Sequence, residues 1–394
     1  MGLMHTEQRQ WTQAIGWMPA LPATGSDTAQ LVLVFGATSI LKTPGALDAI
    51  RSAYPSARLF GCSTAGEICG TSVSDDSLSV TAVRFDHTLL KTARILLNEC
   101  ADSQQAGERI AQALPPSIPG ATPDRTEKLA HVLTFVDGLK VNGSDFVRGL
   151  TANLPEGVTV TGGMAGDGAR FQETLVFADT APEQNTAVAL GLYGNRLKVG
   201  FGSLGGWDSF GPERLITHSS GNVLYELDGK SALGLYKQYL GEHAAGLPAA
   251  GLLFPLSLRT KAGDTAVVRA ILSVDEKEQS VTFAGDVPQG SYARLMKANF
   301  DRLIDGAAGA AKTSYQAIGS ASPDLALLIS CVGRKLVLKQ RIEEEVEGVR
   351  GVLGNRATLA GFYSYGEISP FTPGARCELH NQTMTITTLS EVPN

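Results

Sequence analysis

The strongest constraint on this chain is a phrase written twice. Gly61-Cys62-Ser63-Thr64-Ala65-Gly66-Glu67-Ile68 near the start and Gly361-Phe362-Tyr363-Ser364-Tyr365-Gly366-Glu367-Ile368 near the end share G-x-x-x-x-G-E-I. Glycine weakens a regular element and packs nothing, so two glycines kept in both copies mark a backbone that bends sharply or is closely approached. Both copies have the same frame. An apolar run from Leu31 to Phe35 stops at Gly36 ahead of Gly61, and a run from Leu325 to Val332 stops at Gly333 ahead of Gly361. A third frame lies between them. His131 to Val136 ends in Asp137-Gly138 and leads to Gly162-Gly163-Met164-Ala165-Gly166-Asp167-Gly168. Continuous apolar runs are the pattern of buried parallel strands, and each interval holds one crossover helix and a returning strand. A polar or alternating strand follows each loop: Leu78 to Phe85, Thr174 to Phe177 and Thr383 to Leu389. The expectation is a mixed α/β (α+β) fold. Two related β-α-β-containing domains carry an internal repeat and antiparallel additions, with loops 61–67 and 361–367 in equivalent positions.

Residues 1–28 read as an N-terminal arm or peripheral helix, 29–215 as the first α/β domain and 216–394 as the second, with the boundary near 208–222. Residues 173–207 read as an antiparallel meander closing the first half. The second half opens with a strand, Val223 to Leu227, and a helix carrying Ala232, Leu235, Tyr236, Tyr239 and Leu240. Residues 266–283 read as a hairpin. Ser291 is the predicted N-cap of a long helix containing Leu295, Met296, Leu303 and Ile304. The last helix sets Ile342, Val346, Val349 and Leu353 on one stripe, with three glutamates in its first turn and Gly354 as its stop.

Composition removes several function classes. A net charge of −6 leaves no nucleic-acid footprint. No stretch approaches the roughly 20 apolar residues of a membrane span, and no basic-then-apolar leader opens the chain. Five cysteines without C-x-x-C spacing point to reduced thiols and a cytoplasmic location.

Several residues invite chemistry. Ser63 sits in G-x-S-x-x-G before a strand, which lacks the spacing and the helix of a nucleophile elbow; the plain alternative is a loop serine bonded to backbone. Gly162 to Gly168 is neither a dinucleotide nor a Walker loop, and it reads as a pocket wall. Cys62 is a redox thiol or a small buried residue. Glu67 and Glu367 form an acid/base pair or cap loop amides. Arg334 follows the third apolar run, at the carboxyl end of a strand, where it suits a carboxylate or propionate clamp or a structural ion pair. His380 lies on an apolar strand face. No H-x-x-x-H pattern supports zinc, but a lone histidine can be an axial haem ligand or a hydrogen-bonded core residue. The predicted ligand pocket comprises Gly61, Cys62, Ser63, Gly66 and Glu67, then Gly163, Gly166 and Asp167, then Tyr365, Gly366, Glu367 and Asn381, with Arg334 beside them.

Taken in order, these phrases resemble the FIST family, a ligand-sensing module named for F-box and intracellular signal-transduction proteins. The likeness includes Tyr225-Glu226-Leu227-Asp228-Gly229-Lys230, Tyr236-Lys237-Gln238-Tyr239-Leu240-Gly241 and the His380-Asn381-Gln382-Thr383 end, and spans about residues 30–390. The resemblance implies bacterial, cytoplasmic small-ligand sensing, with amino acids proposed as ligands. It also implies a subgroup of stand-alone nitric-oxide sensors that hold haem b and act on a partner histidine kinase. In that subgroup's light His380 is the expected iron ligand. Two functional readings follow: a sensor signalling in trans, with or without haem, and a hydrolase-like enzyme using Glu67, Glu367 and Ser63 in a shared cleft. No complete catalytic set is visible for the second.

Overall fold

The computed structural model describes residues 4–23, 28–120, 126–247, 249–260, 266–319, 321–371 and 374–393. The apolar runs form parallel pairs as the pattern requires. Leu31–Gly36 pairs with Arg58–Ser63, Thr126–Val136 with Thr159–Met164, and Leu325–Cys331 with Thr358–Ser364. Against the first strand of each pair lies an antiparallel strand: Ser77–Phe85, Thr186–Tyr193 and Met384–Glu391 respectively. The class is the expected mixed α/β, and the repeat is threefold: the first half of the chain supplies two units and the second half one.

Each unit's sheet is completed by another unit. Glu67–Cys69, which follows the first loop, pairs with Thr358–Ser364 of the third unit. Gly366–Pro370 of the third pairs with Thr159–Met164 of the second. Val176–Ala178 of the second pairs with Arg58–Ser63 of the first. This cyclic exchange gives the units a pseudo-threefold arrangement around one interior. Phe35, Phe135 and Phe362, from the three units, meet there with ring centroids 4.8 to 5.6 Å apart, and all are fully buried.

The parallel pairing within each unit accounts for three glycines. A Cβ on Gly61 would stand 1.9 Å from the Val34 carbonyl oxygen; on Gly162, 1.9 Å from that of Thr134; on Gly361, 1.8 Å from that of Leu328. All three are the same position of the returning strand. The close approach read from the sequence is made by the neighbouring parallel strand.

Several elements differ from expectation. Residues Met4–Thr12 are a strand, not a helix or loose arm; they pair along Ser77–Phe85 and extend the first sheet. The unit-two counterpart of the later strands is Thr186–Tyr193, and Leu197–Leu204 crosses to the third sheet beside Met384–Glu391. Residues 173–207 therefore bridge sheets instead of closing one half. Ser291 caps no helix. Tyr292–Lys297 alternates between exposed and buried as a strand does, and Asn299, accepting from the Arg302 amide, caps the helix Phe300–Ala317.

From Asp208 to Lys297 the chain forms a separate antiparallel layer with its own core, including Ile216, Leu224, Leu233, Tyr236, Val281 and Phe283. Among the described residues no helix is long and apolar enough to cross a membrane.

Candidate functional site

Each loop leaves the carboxyl end of its returning strand and crosses to another unit, so polar loop atoms collect at the seams. At one seam, Thr64–Glu67 and the Asp75–Asp76 turn of the first unit face the helix Val332–Leu338 of the third, with Gly168–Arg170 of the second alongside. They line a partly enclosed cavity of about 330 Å³. Lys335 reaches across it. Its Nζ donates to the Ala65 carbonyl at 2.8 Å, pairs with Asp75 and lies 5.7 Å from the centroid of the Tyr363 ring. Gly66, at φ 136°, lies under this lysine, and a Cβ there would stand 2.4 Å from Nζ. Only glycine meets both demands.

Glu67 is buried beneath the same cavity. One oxygen accepts from Thr64 Oγ1, and the other from Ser77 Oγ at 2.7 Å and the Ser77 amide at 3.2 Å. Burial pushes its carboxyl up to about 7, against the pull of the two hydroxyls and of Lys335. Arg170, half exposed, forks onto Asp167 through Nε at 3.0 Å and Nη2 at 2.6 Å. At the next seam a more open cavity of about 560 Å³ is lined by Thr38, Ser39 and Lys42 of the first unit and by Asp167, Gln172, Glu173 and Gln184 of the second. Arg170 borders both cavities.

The third seam repeats the construction but is closed. Glu367 accepts from Ser364 Oγ at 2.7 Å, Thr383 Oγ1 at 2.9 Å and the Thr383 amide at 3.1 Å, the partners of Glu67 transposed. Burial pushes it up to about 8. Gln382 takes a left-handed φ of 65°, as Asp76 does at 49°. Here the separate layer packs onto the turn. Gln382 donates to the Leu252 carbonyl, Asn381 accepts from the Ala270 amide, and Trp207 donates to the Gln382 carbonyl. The two glutamates thus cap their own loops at different seams.

Of the residues singled out in the sequence, Gly66 and Glu67 line the enclosed cavity and Asp167 the open one. Gly166 presses its loop against Ala65, and Tyr365 stacks on Phe171 with centroids 4.4 Å apart. Gly163 and Gly366 face buried side chains of neighbouring strands. Ser63 donates to the Gly166 carbonyl and accepts from the Leu175 amide, both at 2.8 Å, and is fully buried. Cys62 is a core residue whose thiol burial pushes well up. Arg334 needs correction as a ligand clamp. It is fully buried, donates through Nε and Nη2 to Glu345 Oε2 at 3.1 and 2.8 Å, and donates to the Gly205 and Leu303 carbonyls. A helical turn sends Arg334 inward and its neighbour Lys335 into the cavity. Lys335, Asp75, Asp76 and Arg170 were missed. The signal available was the Arg334-Lys335 pair, in which either cation can face a ligand.

His380 is fully buried. Its Nε2 donates to the Ser369 carbonyl at 2.7 Å, and its Nδ1 has no partner among the described residues. Burial holds the ring down to about 4. One nitrogen is tied and one lone pair is free, as an axial ligand requires. The Phe371 ring, however, lies with its centroid 4.0 Å from the imidazole, and His380 borders neither cavity. As packed, these residues do not fit haem. Among the described residues no cluster of three or more His, Cys, Asp or Glu suits a metal ion.

A model of the FIST N domain matches residues 30–230, and one of the FIST C domain matches residues 232–370. The chain belongs to the FIST family. FIST domains are associated with small-ligand sensing in signal transduction. The junction between the two FIST models falls within the antiparallel layer, just before the helix Ala232–Leu240. The FIST chain is 25% identical over 336 residues to the uncharacterized protein MJ1623 of Methanocaldococcus jannaschii, covering 80% of this chain and 62% of that protein. It thus spans less than two thirds of that relative's length. The crystal structure of cyanuric acid hydrolase from A. caulinodans is similar at a TM-score of 0.38 and 10% identity over 100% of both chains.

Proposed function

We propose that this FIST chain senses a zwitterion of amino-acid size in the enclosed cavity and passes its occupancy to a separate protein. The observation that carries the reading is Lys335. Its ammonium is held at the cavity by a backbone carbonyl and by Asp75, which is largely exposed. Glu67, Asp76 and Arg170 complete the polar lining, and Ala37, Val332 and Leu336 supply apolar wall. Both signs of charge in one space of about 330 Å³ suit a small molecule bearing a carboxylate and an amine. A ligand carboxylate takes the place of Asp75 on Lys335, and its amine faces the released acid.

Lys335 belongs to the third unit and its carbonyl partner to the first, so occupancy rewrites a contact between units. That is the differential interaction a two-state signal needs. The receiving protein, such as a histidine kinase, is inferred from the family resemblance. Isothermal titration with a panel of free amino acids tests the proposal on wild type and Lys335→Met. Wild type binds at least one of them, and the variant loses tenfold or more, the worth of one charge-assisted hydrogen bond. No binding by wild type, or equal binding by Lys335→Met, removes the proposal.

A further inference from the structure

The enclosed and the open cavity are the same seam met twice around the pseudo-threefold axis. Val332 and Thr38 are equivalent positions: each lies four residues beyond the strand residue, Leu328 or Val34, that pairs with the shared glycine, Gly361 or Gly61. The helix that supplies Lys335 to the enclosed cavity therefore corresponds to the one that supplies Lys42 to the open cavity. The cavities are also neighbours, with Arg170 in the lining of both. Ala37 and Gly168 line one while their chain neighbours Thr38 and Asp167 line the other.

The open cavity has a different chemistry. Lys42 is paired with Glu173 at 2.7 Å, Gln184 donates to the other Glu173 oxygen at 2.7 Å, and Arg170 is forked on Asp167. Unlike the largely exposed Asp75, the acids here are covered, Glu173 at 24% and Asp167 at 3% exposure, so these pairs stay made and Ser39, Gln172 and Gln184 are left as the exchangeable donors and acceptors. Such a wall suits an uncharged hydrogen-bonding group.

From this, and resting on the zwitterion reading above, we infer that the open cavity is a second subsite of the same ligand. The α-amino and carboxylate groups occupy the enclosed cavity, and a distal carboxamide passes Arg170 into the space between Gln184 and Ser39. The ligand class is an amino acid with an amide side chain, bound once per chain.

Calorimetric titration with L-glutamine and L-alanine tests this on wild type, Gln184→Ala and Glu173→Ala. Gln184 is exposed, so its truncation does not threaten folding. The expected result is one site per chain and glutamine bound about tenfold tighter than alanine, with the ratio falling to near one in both variants. Equal affinities in wild type, a ratio that survives both variants, or two glutamine sites overturn the second subsite while leaving the zwitterion reading standing. Binding of neither amino acid overturns the second subsite, and the zwitterion reading then falls only if wild type also binds no other member of the amino-acid panel.

Discussion

Replacing Gly361 by alanine separates a glycine kept for the fold from one kept for a ligand. The added Cβ would stand 1.8 Å from the Leu328 carbonyl oxygen, 2.7 Å from its carbon and 3.0 Å from its Cα. All three are backbone atoms of the parallel partner, so no rotamer change relieves the clash. The strands must part by more than 1 Å locally, out of a spacing of about 4.8 Å, and their hydrogen bonds weaken there. Overpacking costs about 1–3 kcal/mol where side chains can yield. With backbone opposed, the expected loss is at the top of that range, about 3 kcal/mol. Gly351 is the internal control: it lies exposed within the helix Ile342–Leu353, and a Cβ there meets nothing within 4 Å. Alanine there should add about 0.5–1 kcal/mol through helix propensity. Urea unfolding reads both, as midpoint shifts at constant m-value. A Gly361→Ala protein within about 0.5 kcal/mol of wild type would refute the reasoning, and loss of ligand binding alone would return the glycine to the ligand.

Three further outcomes are expected. Arg334→Met strands the fully buried Glu345 carboxylate and two carbonyls, so unfolding should become easier by about 3–5 kcal/mol; pairing it with Glu345→Leu should restore much of the loss. Glu67 and Glu367 sit at about 7 and about 8 when folded, above an unfolded carboxyl, so the native state holds protons that the unfolded state has released. Their contribution is present at low pH and lost as pH rises through those values. The lowered His131 and His380 act oppositely, but only below about 6.5. Stability from pH 6.5 to 8 should therefore fall, and Glu67→Gln with Glu367→Gln should flatten that limb in urea titrations. Haem b added to the purified protein should give no Soret band that His380→Ala removes, since Phe371 fills the ring's surroundings; a His380-dependent band would show that this region repacks.

The β-α-β frames were legible because buried parallel strands must be apolar throughout, and Leu31–Gly36 and Leu325–Cys331 are buried at every residue. The third frame was equally visible. That it completes a ring was not, because the completing strands are short: Glu67–Cys69 and Val176–Ala178 are three residues each. A three-residue strand has no period to read. Met4–Thr12 was missed because its edge position leaves it largely half-buried, without a clean apolar face. At the site, Glu67 was found through its repeat. Lys335 was not, since its role depends on which way one turn of Val332–Leu338 points, and Arg334 offered the same charge. Asp75, Asp76 and Arg170 reach the cavity only through tertiary contact.

A ribosome delivers Glu67–Cys69 long before its partner Thr358–Ser364, and Thr159–Met164 long before Gly366–Pro370. Until the last quarter of the chain emerges, the first two units carry open strand edges flanking apolar surface, the condition that favours mispairing between nascent chains. The third unit, once made, fills two vacancies in structure that already exists. Final assembly is therefore a ring closure between distant stretches of chain, and such long-range pairing is slow. Cutting the gene at the FIST N and FIST C junction would give fragments that each lack a neighbour's strand, yet that carry the complementary edges needed to find one another.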